Sequence, residues 1–570
     1  MIKRVFLRFG PSASAEPLVI EPEAMTVFVG PNNSGKTLTL QEIKRSLEEG
    51  PTENRKIVTD IGVRPLSPSQ VDNLISTRAI PPEYANPLSP GQKRVMRQVP
   101  ASDHSQILVS DWNLLVQVFE RMRREQHEQS ADCWRSVGGY ACSHFFSLFT
   151  VSLDGQTRLS LAKELPASDA LGPARNHLAA LVADDARRHL VRKLVHEAIG
   201  LHFVIDATNL GKLRVRLSQR APSDTTEEQA FDIRAREFQA QATPLDEMGD
   251  GVKAFVGIVC SLVCSDYKVM LIDEPDAFLH PVLARRLGRE MARLATKRDG
   301  NVFSATHSAP FLMGCVESGK PTSVVRLTYT GDVATARVLS SEAIRKLLTD
   351  PLLRSTSMLE ALFYDSAVIC EGNRDRAFYS EINNRLRDQD DRKHVRDSIF
   401  LNAENKQTIR RIISPLREMG IPAAAVVDFD IIKGEALKHL LSCCYVPSGV
   451  LQSLGQLRGA VRSHFESKGL DPKRGGSQQL SGSQLADCRC LLAQLQKYGI
   501  FVVPVGEVEG WLASLAVNSA KEFWLQRVFE RMGSDPAGMD YLHPQEGDVW
   551  AFIENIARWV EDARRFGMPT

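Results

Sequence analysis

The first stretch whose residue types and spacing can do chemistry is Gly30-Pro-Asn-Asn-Ser-Gly-Lys-Thr37. This is a full G-x4-G-K-[ST] pattern, in which Gly30 and Gly35 let the backbone N–H groups of Asn32, Asn33 and Ser34 curl around phosphate. A helix starting at Lys36 adds partial positive charge at the same place. Lys36 would reach the β/γ-phosphates of a nucleotide, and the Thr37 hydroxyl would ligate Mg²⁺. The flanks agree. The apolar run Met25–Val29 precedes the loop, and Leu38, Leu40, Ile43 and Leu47 follow at helical spacing.

A second apolar run, Val269–Ile272, ends in Asp273-Glu274. Asp273 is placed to hold Mg²⁺, and Glu274 to orient or deprotonate an attacking water. Thr306-His307 follows a third run, Asn301–Ala305, where a sensor of the γ-phosphate would sit. From GPNNSGKT through LIDEPDAFLHP to SATHSAPF the chain resembles an ATPase of the ABC class, of the type found in chromosome maintenance and recombination repair. That resemblance implies ATP as cofactor, one Mg²⁺ at this site, and paired protomers. It also implies a signature loop before Asp273 that touches ATP on the opposite protomer. Met248-Gly249-Asp250-Gly251 stands there, with Gly249 in place of the usual serine, which weakens the contact across the pair. No glutamine is evident in the setting of a Q-loop.

The second half carries six acids in three spaced groups. Glu371-Gly-Asn-Arg-Asp375 follows the run Ser366–Cys370, Asp428-Phe-Asp430 follows Ala423–Val427, and Glu507-Val-Glu509 follows Ile500–Val505. Residues two apart on a strand point to one face, so each of the last two pairs is expected to project together. Clustered hard oxygen ligands suit Mg²⁺ or Mn²⁺ rather than zinc. The order E-G-x-x-D, D-x-D, then an acidic pair after a Pro-Val-Gly turn resembles a TOPRIM domain. With the ATPase half before it, the whole chain resembles the OLD (overcoming lysogenization defect) family of ATPase-nucleases, to which antiphage effectors are related. The resemblance implies that Glu371, Asp375, Asp428, Asp430, Glu507 and Glu509 bind two divalent ions that cleave phosphodiesters. Glu371 and Asp428 would be the catalytic acids, as Glu274 and His307 would be at the first site. It also implies a lysine at the site, for which Lys521 and Lys406 are the candidates.

These groups need strands to hold them. Short apolar runs ending in polar punctuation predict parallel strands buried on both faces, hence an α/β fold. An ABC-type ATPase domain is expected over residues 1–355 and a TOPRIM domain with a helical C-terminal part over 356–570. Residues 50–240 read as an insertion: irregular over Pro65–Pro100, and helical over Leu171–Leu201 with a basic face at Arg187, Arg188, Arg192 and Lys193. A dimerisation arm is expected over 165–200, and a hairpin around Asn209-Leu-Gly211.

The chain has 570 residues, and its 70 Lys and Arg against 69 Asp and Glu argue against coating nucleic acid by bulk charge. Any grip on DNA must be local, with Lys93–Arg97, Arg121–Arg124 and Arg187–Lys193 as candidates. Ten cysteines are too dilute for a disulfide scaffold. The longest nearly apolar run, Ala254–Cys264, falls far short of the ~20 residues that span a bilayer. No secretory leader is seen in MIKRVFLRFG. DNA, a homo-oligomer and a partner of the same defence system are the expected partners, and the cytoplasm the expected location.

Overall fold

The computed structural model describes all residues except 51, 53, 65, 77–91, 97–105, 126–138, 169–173, 175, 340–343, 346–349, 351–356, 391–392, 518 and 570. Backbone contacts divide the chain into two units, Met1–Arg345 and Lys346–Thr570. The division lies ten residues before the expected boundary, within a stretch that is largely outside the described residues.

The first unit is built on a six-stranded sheet. Its order is Ala334–Leu339, Thr322–Tyr329, Met25–Val29, Asn301–Ala305, Val269–Asp273, Thr150–Leu153. All neighbours are parallel except the edge strand Ala334–Leu339. Met25–Val29 and Asn301–Ala305 are buried at every position, as strands covered on both faces require. The helix Lys36–Glu49 buries Leu40, Ile43 and Leu47, the three-to-four spacing of a single face. It also carries buried Glu42, whose carboxylate accepts the N–H groups of Lys56, Ile57 and Val58 at 2.8–2.9 Å. Those bonds tie the helix to the strand Val58–Val63, which pairs antiparallel with Ile2–Leu7.

The stretch expected to be irregular contains a helix, Pro68–Ser76, and a strand, Gln92–Met96, paired with Gln106–Asp111. Apart from Leu66 and Ser67, its remainder lies outside the described residues. The expected hairpin is present as His202–Asp206 against Lys212–Ser218. The helical stretch is two helices, His177–Ala183 and Asp185–Ile199, capped by Asn176 and Asp184.

The basic face there is corrected. Arg188 and Arg192 are buried around a buried carboxylate, with Arg188 Nε 2.9 Å and Arg192 2.5 Å from Glu228. Arg188 also donates to the Leu181 carbonyl at 2.9 Å, and Arg192 to the Phe203 carbonyl at 2.9 Å. Two of the four cations therefore hold the insertion together and are not available to phosphates; Arg187 is half-buried, paired with Asp184 and donating to the Cys264 carbonyl, and Lys193 is exposed. Of the other two runs, Arg121 is exposed. The side chains of Lys93, Arg94, Arg123 and Arg124 and all of Arg97 lie outside the described residues.

The second unit has a four-stranded, wholly parallel sheet in the order Ser398–Asn402, Ser366–Cys370, Ala423–Val427, Ile500–Val502. The helices Asn373–Gln389 and Lys406–Glu418 make the crossovers from one strand to the next. The helix Asp548–Glu561 brings Trp550, Phe552 and Trp559 into a core with Phe501, Trp511 and Trp524. Buried Arg417 fastens this helical end to the sheet by donating to the carbonyls of Ala423, Tyr498 and Gly567 at 2.6–3.1 Å. No helix of the described residues is long and apolar enough to cross a membrane.

Candidate functional sites

At the first site, strand register does the positioning. Asp273 lies opposite Ala305, and Ala305 opposite Phe28, so three strands end together. Glu274 N–H donates to Ala305 O at 2.8 Å and Thr306 N–H to Phe28 O at 3.2 Å, which locks the loops that follow. Ligands bind outside the carboxyl ends of parallel strands, and Gly30–Thr37, Asp273-Glu274 and Thr306-His307 all lie there. Gly30 (φ 144°) and Gly35 (φ 89°) adopt backbone closed to most side chains, and a Cβ at Gly30 would collide with the Leu327 carbonyl. Asn33, at φ 59°, completes the turn.

Lys36 is folded back into its own loop, donating to Gly30 O at 2.8 Å, Pro31 O at 2.6 Å and Ser34 Oγ at 3.2 Å. These acceptors hold the ammonium where phosphate oxygens would otherwise take it. Burial lowers its pKa to about 8, against the pull of Glu274 and Asp273. Thr37 Oγ1 donates to Asp273 Oδ1 at 3.1 Å, so the two expected Mg²⁺ ligands already touch. Burial raises the Asp273 pKa, helped by the Glu274 charge and opposed by Thr37. Glu274 has φ 47°, and its carboxylate stands 3.8 Å from His307 Nε2. Burial, then the charge of Lys36, lowers the His307 pKa. Gly249 caps the helix Asp250–Cys264 without a side-chain hydrogen bond, as expected where serine is missing. Gly251 packs so closely on the backbone after Glu274 that a Cβ would lie 2.6 Å from Phe278 O.

Two groups here escaped sequence reading. Buried Arg158, on the short helix Gly155–Ser160, donates to the Glu274 carbonyl and to Asp154 O at 3.1 Å. Asp276 accepts from Thr306 Oγ1, which couples the loops that follow the strands Val269–Asp273 and Asn301–Ala305. The signal for Asp276 was present in Asp273-Glu-Pro-Asp276; nothing in sequence singled out Arg158.

At the second site, Glu371, Asp428 and Asp430 each offer a carboxylate oxygen within 4.8 Å of the others. The strands Ser366–Cys370 and Ala423–Val427 are neighbours in register, which brings Glu371 beside Asp428. Asp428 N–H donates to Glu371 Oε1 at 3.1 Å. The strand geometry expected for the two acidic pairs is corrected. Asp428 follows the last strand residue and Asp430 lies in a 3-10 turn, Phe429–Ile432. Glu507 and Glu509 flank Val508 in another such turn and face different partners. Glu507 is held by Lys473 at 2.6 Å and by Lys521, while Glu509 is 3.7 Å from Arg374. Asp375 sits in the first turn of its helix and accepts from Gly372 N–H at 2.8 Å.

Both candidate lysines reach the site. Lys406 Nζ is 2.7 Å from Asp430 Oδ2, and Lys521 pairs with Glu507. Lys473 was missed, because the Lys473-Arg474 dipeptide reads as a solvated loop. The residues fit a divalent ion: three carboxylates cluster as hard oxygen donors, and one of them, Asp430, has a buried oxygen, Oδ1, with no hydrogen-bond partner.

Burial pushes the Glu371 pKa up to about 7, with the charges of Asp430 and Asp375 adding to it. Burial and then the charges of Glu371, Asp375 and Glu507 push Asp428 up to about 8. Burial also raises Asp375. Glu507 departs the other way: burial opposes its charge, but the bonds from Lys473 and Lys521 win and lower it. A carboxyl raised in the folded state holds protons that the unfolded chain releases. Its ionisation therefore costs stability, progressively, as pH rises from the ordinary carboxylate range to about 8. A divalent ion must displace those protons. Mn²⁺ affinity of the second unit is expected to rise at least about tenfold between about pH 6 and about pH 8, with proton release measurable by calorimetry in two buffers. A flat affinity over that range would contradict the raised carboxyls.

Two family models match parts of the chain. Residues 159–314 match the family described as "AAA domain, putative AbiEii toxin, Type IV TA system". Residues 362–430 match the overcoming lysogenization defect protein-like TOPRIM domain. The chain is thus an enzyme that joins an ATPase domain to a TOPRIM domain of the nuclease and primase type. That combination, in that order, is the architecture of the OLD family. No curated protein matches the chain.

Among solved structures, an SMC head bound to the C-winged helix domain of ScpA is similar at 13% identity over 60% of this chain and 99% of that one, with a TM-score of 0.33. The SMC head domain from Thermotoga maritima is similar at 13% identity over 60% of this chain and 99% of that one, with a TM-score of 0.29. A head domain with an extended coiled coil, bound to a ScpA domain derived from Pyrococcus furiosus, gives 11% identity over 61% of this chain and 98% of that one, at 0.29.

Proposed function

We propose that this chain is an ATP-gated, divalent-metal-dependent DNA endonuclease that serves bacterial defence against phage. The observation that carries the reading is the convergence of Glu371, Asp428 and Asp430, with the unpartnered Asp430 oxygen, at the carboxyl edge of a parallel sheet. Glu371, Asp428 and Asp430 would hold one Mg²⁺ or Mn²⁺, and Asp375 and Glu509, with Glu507 once its lysines give way, would meet a second. Bound there, such ions activate water and stabilise the leaving 3′ oxygen of a phosphodiester. Gly372 caps the helix Asn373–Gln389, its N–H donating to Asp375, and the backbone N–H of Asp428 orients Glu371. Lys406 and Lys521 offer ammonium groups to the phosphate oxygens of DNA.

In the first unit, Gly30, Asn32, Asn33, Ser34, Gly35, Lys36 and Thr37 would cradle ATP. Thr37 and Asp273 would hold its Mg²⁺, Glu274 and His307 would act on the attacking water, and Gly249 and Gly251 would meet ATP of a second protomer. ATP binding then gates the nuclease and does not supply the energy for bond cleavage. The protein acts as a homodimer or higher oligomer in the cytoplasm, alone or with a partner of the same system.

A plasmid-nicking assay tests this directly. Cleavage is expected with Mg²⁺ or Mn²⁺ and not in excess EDTA; cleavage that persists in EDTA sinks the nuclease reading. Lys36→Ala is expected to lower ATP hydrolysis by about a hundredfold or more, since it removes the charge that meets the β/γ-phosphates. An unchanged ATPase rate would place the nucleotide elsewhere.

A further inference from the structure

Lys473 lies between the two halves of the acidic site. Its Nζ is 2.6 Å from Glu507 Oε1 and 3.7 Å from Asp430 Oδ2. Lys521 takes the other oxygen of Glu507, so both oxygens of that carboxylate are engaged by ammonium groups. Asp430 differs: Lys406 and Lys473 both approach Oδ2, and Oδ1 is left without a partner. One side of the site thus has a free oxygen, and the other is already neutralised.

The position of Lys473 is built into the backbone. Its segment bridges the loop that carries Glu507, with Arg474 paired to Gly506. Gly506, at φ 106°, approaches so closely that a Cβ would collide with the Lys473 carbonyl. Gly476 meets the same loop, where a Cβ would strike Pro504 O, and Ser477 N–H donates to Pro504 O at 2.8 Å. Gly506 O in turn accepts from Phe429 N–H at 2.9 Å, which ties in the turn bearing Asp428 and Asp430. These glycine contacts fix the backbone from which the Lys473 side chain reaches between the two acids.

We propose that Lys473 occupies the place of the second cation, so that the DNA-free enzyme takes one divalent ion and is closed to another. This rests on the metal-binding reading of the TOPRIM site. The first ion goes to Glu371, Asp428 and Asp430. A second must compete at Glu507 with an ammonium already seated between Glu507 and Asp430, and two cations cannot share that space without strong repulsion. Lys473 is a positioning residue here: it sets how many ions the site accepts and does not itself meet the reacting atoms.

The test counts ions in the full chain without nucleotide or DNA. Mn²⁺ binding is followed by the electron paramagnetic resonance of the free ion, and the Asp428→Asn count is subtracted in each background to isolate the TOPRIM site. The wild type is expected to bind one Mn²⁺ there, Lys473→Met two, and Lys473→Arg one. Lys473 is 42% exposed, so its replacement leaves the core intact. Two ions in the wild type, or one in Lys473→Met, overturn the assignment while leaving the metal site standing. No Asp428-dependent ion in any variant overturns both this proposal and the metal-dependent reading beneath it.

Discussion

Asp428→Asn is expected to lower DNA cleavage by about a thousandfold or more while leaving ATP hydrolysis within about twofold of the wild type. Several kcal/mol of transition-state stabilisation come from ions held by such acids, and each ~1.36 kcal/mol is tenfold in rate. Asp428 is central for geometric reasons. Its N–H orients Glu371, its carboxylate lies within ligand distance of Glu371 and Asp430, and it feels the charges of Glu371, Asp375 and Glu507 together. The asparagine keeps the volume and the backbone N–H and removes only the charge, so a folding defect is not expected to mimic the loss. The two rates, measured on one preparation, separate the sites. Cleavage retained within tenfold would remove the acidic cluster from the chemistry.

The second large effect is on stability. Glu228→Ala is expected to destabilise the first unit by about 3–5 kcal/mol, because it takes the carboxylate partner from buried Arg192 and leaves buried Arg188 with Asp185 alone. The side chains of Arg188, Arg192 and Glu228 are 0%, 9% and 1% exposed, so water cannot replace what is lost. The readout is amide exchange in the helix Asp185–Ile199, where a loss of at least about a hundredfold in protection corresponds to the lower end of that range. Lys193→Ala, on the same helix but with its side chain 70% exposed, is expected to stay within about 0.5 kcal/mol. If Glu228→Ala did no more than Lys193→Ala, the basic face expected from sequence would be restored as a solvent surface.

These two cases mark where sequence reasoning succeeds and where it stops. The loop Gly30–Thr37 could be read from eight consecutive residues because its chemistry is backbone chemistry. Gly30 and Gly35 are there for φ values that other residues avoid, and Lys36 and Thr37 follow at fixed offsets. Asp273 and Glu371 were legible for a related reason: an apolar run ending in an acid places that acid at a strand's carboxyl end, whatever the sheet order. The buried parallel strands of both units were legible from the same runs.

Other features depended on partners distant in sequence. Arg188 and Arg192 have helical spacing compatible with either solvent or burial, and only Glu228, arriving from another element, selects burial. Lys473 gains its meaning from a glycine contact with Gly506, which no periodicity reveals. Arg158 touches Glu274, 116 residues away, through its backbone carbonyl. The acidic pairs were found by type but not by geometry, since the strands end before Asp428 and Glu507 and 3-10 turns separate the members of each pair. Residue type and local spacing thus singled out the candidate groups. Which of them meet, which are neutralised by lysine, and which cations are spent on the core were settled by long-range packing, because charge pairing acts through space and not along the chain.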